Sequence, residues 1–543
     1  MLRGIGMASM WKSSVLASAL IFSSMSNVYA RPKDGQPFVD DDHNKIRHVL
    51  MISVDGMHAL DLTTYIGTHP NSALASLSEH GVTYTNNSTS SPSDSFPGLA
   101  TLVTGGSPVT AGLWYDDTFN RKLSPPAQTD GLGDPGGNCP STAGTIVAWD
   151  ESVDIDLTKL NGGGGLNPNY LVRDPSNNCA TILPHQYLRV NTVFEVVKAH
   201  GGYTAWTDKH PSYEWTNGPS GKGVDDFYGP EINSIPVALP QFAGCSPVPA
   251  PDTTYDDGWT TDLHNIQCYD SLHVQAVLNQ IDGYTHDRSQ KAPVPAIFGT
   301  NFQAVSVGEK LAGDGYTDVL GTPSAGLESE FDFVDQSLGK FIAELKKQGL
   351  YDSTLIIIAA KHGQSPIDVQ KRVGIGNGQP AATIGSAEAF DLSDDGSLIW
   401  LTDPSLTKSV VDTLSTPTNQ AALGIQEIFA LDSLSNKFDV PGSATGLDPR
   451  TPDIILKVNT GVIFTGGSKI AEHGGFNEDD VHTALLLSNP GFDQKTVKSV
   501  TSNQQVPATI LKFLGIDPSE LQAIEKERIH VLPFLFDGDE EGR

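Results

Sequence analysis

Two uninterrupted apolar runs, His48-Val49-Leu50-Met51-Ile52-Ser53-Val54 and Thr354-Leu355-Ile356-Ile357-Ile358-Ala359-Ala360, each stop abruptly at polar residues and a glycine. A run without polar alternation fits a strand covered on both faces, as in a parallel sheet between helix layers. Between the runs, Leu327, Phe331, Val334, Leu338, Ile342 and Leu345 recur at helical spacing, and Gly349 closes that helix. Leu74 and Leu77 predict another helix over 70–80 before Gly81, and 506–514 one more before Gly515. Residues 482–487 read as a further strand. Strands alternating with helices predict an α/β fold, a mostly parallel central sheet flanked by helices.

The 543 residues exceed the usual size of one core, so two domains or one large domain with insertions are expected. We read 31–543 as one domain. Residues 115–185, rich in Gly, Asn, Asp and Pro, read as a long surface excursion, and 207–292, polar and aromatic with little periodicity, as a cap insertion. Residues 1–30 read as an export signal: basic Arg3 and Lys12, an apolar stretch over 15–25, then Val28-Tyr29-Ala30. That stretch is too short to anchor a chain, so a periplasmic or extracellular protein free of the membrane is expected. Cys139, Cys179, Cys245 and Cys268 suit such a compartment as two disulfides. Three pairings are open; 139–179 and 245–268 close the shortest loops. The acidic stretch 537–543 reads as a solvated end. A formal charge of −30 repels nucleic acids and anionic lipid, so no nucleic-acid surface is expected. A small anion remains a fitting partner, because a local cationic centre can outweigh the mean field.

In sheets of this kind, binding groups gather at the carboxyl ends of the strands. Asp55 and His362 stand there, and Ser95 joins them if the loop after 81–85 is short. Five segments in sequence order then resemble the type I phosphodiesterase/nucleotide pyrophosphatase branch of the alkaline phosphatase superfamily. Ile52-Ser53-Val54-Asp55-Gly56 is similar to its first metal-binding strand end. Ser93-Asp94-Ser95-Phe96-Pro97, followed by Leu102-Val103-Thr104-Gly105, resembles its nucleophile segment. His362-Gly363 resembles its Asp-His-Gly, Glu472-His473-Gly474-Gly475 its late histidine ligand, and 506–511 with Leu514-Gly515 its C-terminal helix. The resemblance implies an exported hydrolase of phosphate mono- or diesters acting on a small anionic ester. It implies Ser95 as nucleophile and Asp55, His362 and His473 as ligands in a centre that usually holds two zinc ions.

Four positions depart from that pattern. Gln303 and Val307 stand where the family has an acid and a histidine, Lys361 replaces the acid of Asp-His-Gly, and Gly98 replaces an asparagine that donates to a phosphoryl oxygen. An ammonium about 4 Å from a divalent ion is repelled by roughly 8 kcal/mol at an effective dielectric constant of 20. We therefore expect one divalent ion, such as zinc, or none. Lys361 is expected to act beside Ser95 as the missing cation, or to lock Asp55 in an ion pair. Asn301 and Gln303 are candidate substrate-binding amides, or plain strand-end hydrogen bonders. Asp208-Lys209-His210-Pro211 and Val224-Asp225-Asp226, in the expected cap, either reach the site or cap solvated turns. Glu472 either orients His473 or lies at the surface. Two other functions compete: a catalytically silent relative that binds an anion, and a metal-free Ser/Lys hydrolase of carboxylic esters.

Overall fold

The computed structural model describes residues 46–128, 136–140, 144–246, 258–440 and 448–536. The expected export signal and the acidic end at 537–543 lie outside them. Eight strands form the central sheet: β1 (His48–Val54), β2 (Gly81–Tyr84), β3 (Ala205–Thr207), β4 (Asp226–Tyr228), β5 (Ile297–Phe302), β6 (Thr354–Ala359), β11 (Leu485–Ser488) and β12 (Lys495–Val497). A second sheet, from the sequence between β6 and β11, holds β7 (Glu388–Ser393), β8 (Gly396–Leu401), β9 (Ile425–Ala430) and β10 (Ile454–Val458). The central order is β12-β2-β11-β6-β1-β5-β3-β4. Its ladders are parallel except where β11 runs against β6 and β2.

The unbroken apolar runs have a direct cause. Val49 and Met51 point into one core cluster, while Leu50, Ile52 and Val54 point into another on the opposite face. β6 divides the same way, with Leu355, Ile357 and Ala359 on the first side and Ile356 and Ile358 on the second. Side chains alternate across a strand, so a sheet buried on both faces needs apolar residues at every step. Helices α1 (Ser95–Thr104) and α5 (Gln505–Phe513) feed the first cluster. The second takes Val274, Val277 and Ile281 of α2 (Leu263–Ile281) and Leu327 to Leu345 of α4 (Ala325–Lys347).

The two stretches without clear periodicity carry more structure than their composition suggests. Within 115–185, an antiparallel pair Asp117–Asn120 and Thr145–Ala148 forms, and Val147, Trp149 and Leu171 are buried in the first cluster. Within 207–292 the chain adds edge strand β4 and the long helix α2. Cys139 pairs with Cys179 and Cys245 with Cys268, across separations of 40 and 23 residues. The shortest loops are the ones closed. The second sheet, in the order β7-β8-β10-β9, was not anticipated from the sequence.

Candidate active site

Parallel pairing in register sets the site. Val54 of β1 lies opposite Phe302 of β5, and Ser53 opposite Ala359 of β6. The residues that follow, Asp55, Gln303 and Lys361-His362, therefore emerge at one edge of the sheet, and β3 delivers Asp208 and Lys209 to the same edge. Ser95 begins α1 directly after its N-cap Asp94, whose carboxylate accepts from the Phe96 N–H at 2.9 Å.

Ser95 is buried, with its hydroxyl between a base and a cation. His362 Nε2 lies 3.2 Å from Ser95 Oγ, and Lys209 Nζ donates to the same oxygen at 2.8 Å. His362 Nδ1 lies 3.0 Å from the carbonyl oxygen of Gly363. A carbonyl can only accept, so Nδ1 carries the hydrogen, and a neutral ring then offers its Nε2 lone pair to the Ser95 hydroxyl.

Asp55 anchors the other side. Its Oδ2 accepts from Asn301 Nδ2 at 3.1 Å and Gln303 Nε2 at 2.5 Å, and faces Lys209 Nζ and His362 Nε2 at 3.5 Å each. Burial by itself would raise the Asp55 pKa, but the charges of Lys361 and Lys209, with the His362 ring beside it, hold it well below the usual carboxylate range. The amides Asn301 and Gln303 thus hold Asp55. Val307 sits on α3 (Ala304–Lys310) in an apolar cluster with Trp259 and Tyr269.

Lys361 does not take the place expected for it. Its ammonium bonds Asp208 Oδ1 at 2.7 Å and Oδ2 at 2.9 Å and stands 4.3 Å from the ring centre of Tyr213. Neither expectation for Lys361, beside Ser95 or in direct pairing with Asp55, describes this arrangement; Lys209 supplies the amine at the serine. Asp225 and Asp226, named with Lys209 as cap candidates, instead bind the sheet edge: Asp225 pairs with Lys198 at 2.5 Å, and Asp226 accepts from Gln280 at 2.9 Å.

His473 packs on His362 with ring centres 4.0 Å apart, its Nδ1 3.5 Å from Asp94 Oδ1. Burial, with the charges of Lys310 and Lys209 adding to it, pushes the His473 pKa well below the ordinary histidine value, so its ring is neutral. Glu472 is not a surface residue. It is buried and paired with Lys310 at 2.6 Å and Lys469 at 2.8 Å.

Gly98 has a steric reason. A Cβ there would lie 2.1 Å from the carbonyl oxygen of Lys361, so α1 rests on the end of β6 only because position 98 has no side chain.

The donor set does not suit a zinc pair. Asp55 Oδ1, Asp94 Oδ1 and His473 Nδ1 are buried without hydrogen-bond partners, and His473 Nδ1 faces Asp94 Oδ1 at 3.5 Å, but no trio of ligand atoms forms around them among the described residues. Among the described residues, the trios of His, Cys, Asp or Glu with ligand atoms within 4.8 Å of one another include His58-Asp61-Glu309, His69-Glu328-Asp332 and Glu151-His210-Glu231. None of these trios contains Asp55, His362 or His473. Between Asp55 and Ser95 stands the ammonium of Lys209.

The sheet edge thus carries an acid, a serine at a helix start and two histidines in contact. The chain matches the type I phosphodiesterase/nucleotide pyrophosphatase family over residues 49–152 and 299–484, and it belongs to that family, a class of phosphodiesterase and phosphatase hydrolases. Members are typically metal-dependent, and phosphate esters are the fitting substrate class. Its structure is similar to murine ectonucleotide pyrophosphatase/phosphodiesterase 5, at 13% identity and TM-score 0.52, over 87% of this chain and 96% of that one. It is also similar to the alkaline phosphatase PafA, at 14% identity and TM-score 0.57, over 88% of this chain and 97% of that one. At such identities the likeness concerns the fold. No curated protein sequence matches the chain. No described helix is long and apolar enough to cross a membrane.

Proposed function

We propose that this chain is an exported hydrolase of phosphate mono- or diesters that uses Ser95 as nucleophile at a site holding one metal ion or none. The observation that carries the reading is the pairing of Ser95 Oγ with His362 Nε2 at 3.2 Å and Lys209 Nζ at 2.8 Å. A serine hydroxyl is a weak nucleophile unless a base takes its proton and a cation stabilises the oxyanion.

The step balances with these groups alone. Ser95 Oγ attacks phosphorus while its proton passes to His362 Nε2; the leaving oxygen departs and takes that proton. Water then attacks the phosphoserine, gives a proton to His362, and Ser95 is released and reprotonated. Asp55 Oδ2, 3.5 Å from both His362 Nε2 and Lys209 Nζ, balances the imidazolium that forms between the two transfers. The N-terminus of α1 favours the phosphoryl charge. Export is supported by the two disulfides, which persist in oxidising compartments.

The test uses the purified mature chain with bis-p-nitrophenyl phosphate and p-nitrophenyl phosphate, alongside p-nitrophenyl acetate. Phosphate-ester turnover that disappears in Ser95→Ala is the expected result. Turnover that survives Ser95→Ala removes Ser95 from the mechanism, and cleavage of the acetate alone moves the chain to carboxylic esters.

A further inference from the structure

Lys209 has the neighbours of a bound cation rather than of a surface lysine. Its Nζ lies 2.8 Å from Ser95 Oγ, 3.4 Å from Gln303 Oε1 and 3.5 Å from Asp55 Oδ2. These three oxygens come from three different strand or helix ends, and only the sheet pairing brings them together. Asp208 and Lys209 lie between the two matched family segments, 49–152 and 299–484. The ammonium therefore enters from sequence that the family pattern does not cover.

We infer that the Lys209 ammonium replaces the divalent ion that family members place between their first acid and their nucleophile, so that the serine of this chain works there without a metal. The inference rests on the reading of Ser95 as nucleophile and deepens it. Three observations agree. A metal at this point would have to share Ser95 Oγ and Asp55 Oδ2 with a fixed positive charge. Asp55 Oδ2 already accepts N–H hydrogens from Asn301 and Gln303, the second at 2.5 Å, and these point hydrogen at the oxygen where a metal would need its lone pair. At position 303 the acid of the family pattern has become an amide, whose neutral Oε1 accepts from Lys209 without adding a negative charge. Removing an acid while gaining an ammonium keeps the local charge in balance without an ion.

Lys209 donates to Ser95 Oγ, and as the oxygen loses its proton to His362 the same charge-assisted hydrogen bond gains an anionic acceptor. Lys361 is a different case: tied to Asp208 by both carboxylate oxygens, it holds the segment that carries Lys209 and is a positioning residue.

Two readouts test this. The first is zinc binding by calorimetry on the full mature chain, with Asp55→Asn as the reference for zinc bound elsewhere. Wild type should show no Asp55-dependent zinc site, and Lys209→Met, which keeps the stem and loses the charge, should gain one at least tenfold tighter than the residual zinc binding of Asp55→Asn. Lys209→Gln serves as a second variant should the methionine form fold poorly, with circular dichroism confirming the fold of each. The second readout is turnover of bis-p-nitrophenyl phosphate after exhaustive chelation, expected to stay within twofold of the untreated rate and to fall at least a hundredfold in Lys209→Met. A wild-type zinc site lost in Asp55→Asn, or a rate abolished by chelation and restored by zinc, overturns the inference while leaving a Ser95 hydrolase intact. Failure of both variants to gain zinc also overturns it. Absence of phosphate-ester turnover with the expected zinc results would instead remove the proposed activity and keep the ammonium as the resident cation.

Discussion

Lys361 and Asp208 form a fully buried ion pair, with the ammonium 2.7 and 2.9 Å from the two carboxylate oxygens and no exposed surface on either side chain. Trp206 Nε1 donates to the same carboxylate at 3.0 Å, which fixes its orientation. Breaking such a pair leaves one charge buried and unmatched. Lys361→Met should therefore lower unfolding stability by about 3–5 kcal/mol. Adding Asp208→Leu should recover much of that loss, because both charges are then gone. Urea unfolding of the two singles and the double, read as a double-mutant cycle, checks this; a loss in the double equal to the sum of the two single losses would mean the pair is not coupled.

Gly98 gives a second prediction. Restoring the family asparagine by Gly98→Asn should destabilise the protein by about 2 kcal/mol or more and should not raise turnover, because the new Cβ meets the Lys361 carbonyl at 2.1 Å. A variant as stable as wild type with faster phosphate-ester cleavage would contradict the packing argument.

His362 is expected to carry the proton. His362→Gln keeps a polar side chain but removes the base 3.2 Å from Ser95 Oγ, so kcat/KM should fall on the order of 10² to 10⁴-fold with little change in folding stability. Steady-state kinetics across pH, together with a melting curve, separate a lost base from a lost fold.

A fourth prediction concerns pH and stability away from the site. Burial pushes the Glu330 carboxyl up from about 4.5 to about 8, against weaker lowering by its hydrogen bonds from Gln267 and Ser329. Between those values the folded chain holds a proton that the unfolded chain has released, so this group makes stability fall as pH rises across the window, by at most about 1.4 kcal/mol per unit. Glu330→Gln removes the effect. The variant should gain stability over wild type on going from pH 5 to pH 8, measured by denaturant unfolding at each pH.

The strands β1 and β6 and the helix α4 were legible because their residues meet an environment that is uniform along their length: two apolar faces for the strands, one for the helix. The second sheet was missed. Its strand β7 is half-buried throughout, and the β9 residues Gln426 and Glu427 face solvent, so their pattern lacks the long apolar runs that announced the central sheet. Strand β3 and the edge strand β4 beside it have three residues each, too few to show any period. At the site, Asp55, Ser95, His362 and His473 could be read because their segments keep family spacing. The placement of Lys209 beside Ser95 could not. Lys361 stood next to His362 in sequence and took the attention, yet neighbouring residues at a strand end point to opposite sides, so their side chains part company. The signal that existed was the lone basic residue of Asp208-Lys209-His210, directly after a strand too short to recognise.

Lys209 and Ser95 are separated by 114 positions in the chain and by 2.8 Å in space. A positive charge that is part of the polypeptide cannot be leached out by a chelator, exchanged for the wrong ion or withheld by a scarce medium. On this reading, maturation ends with folding: once β3 has docked beside β5, the charge is delivered, and no loading step follows.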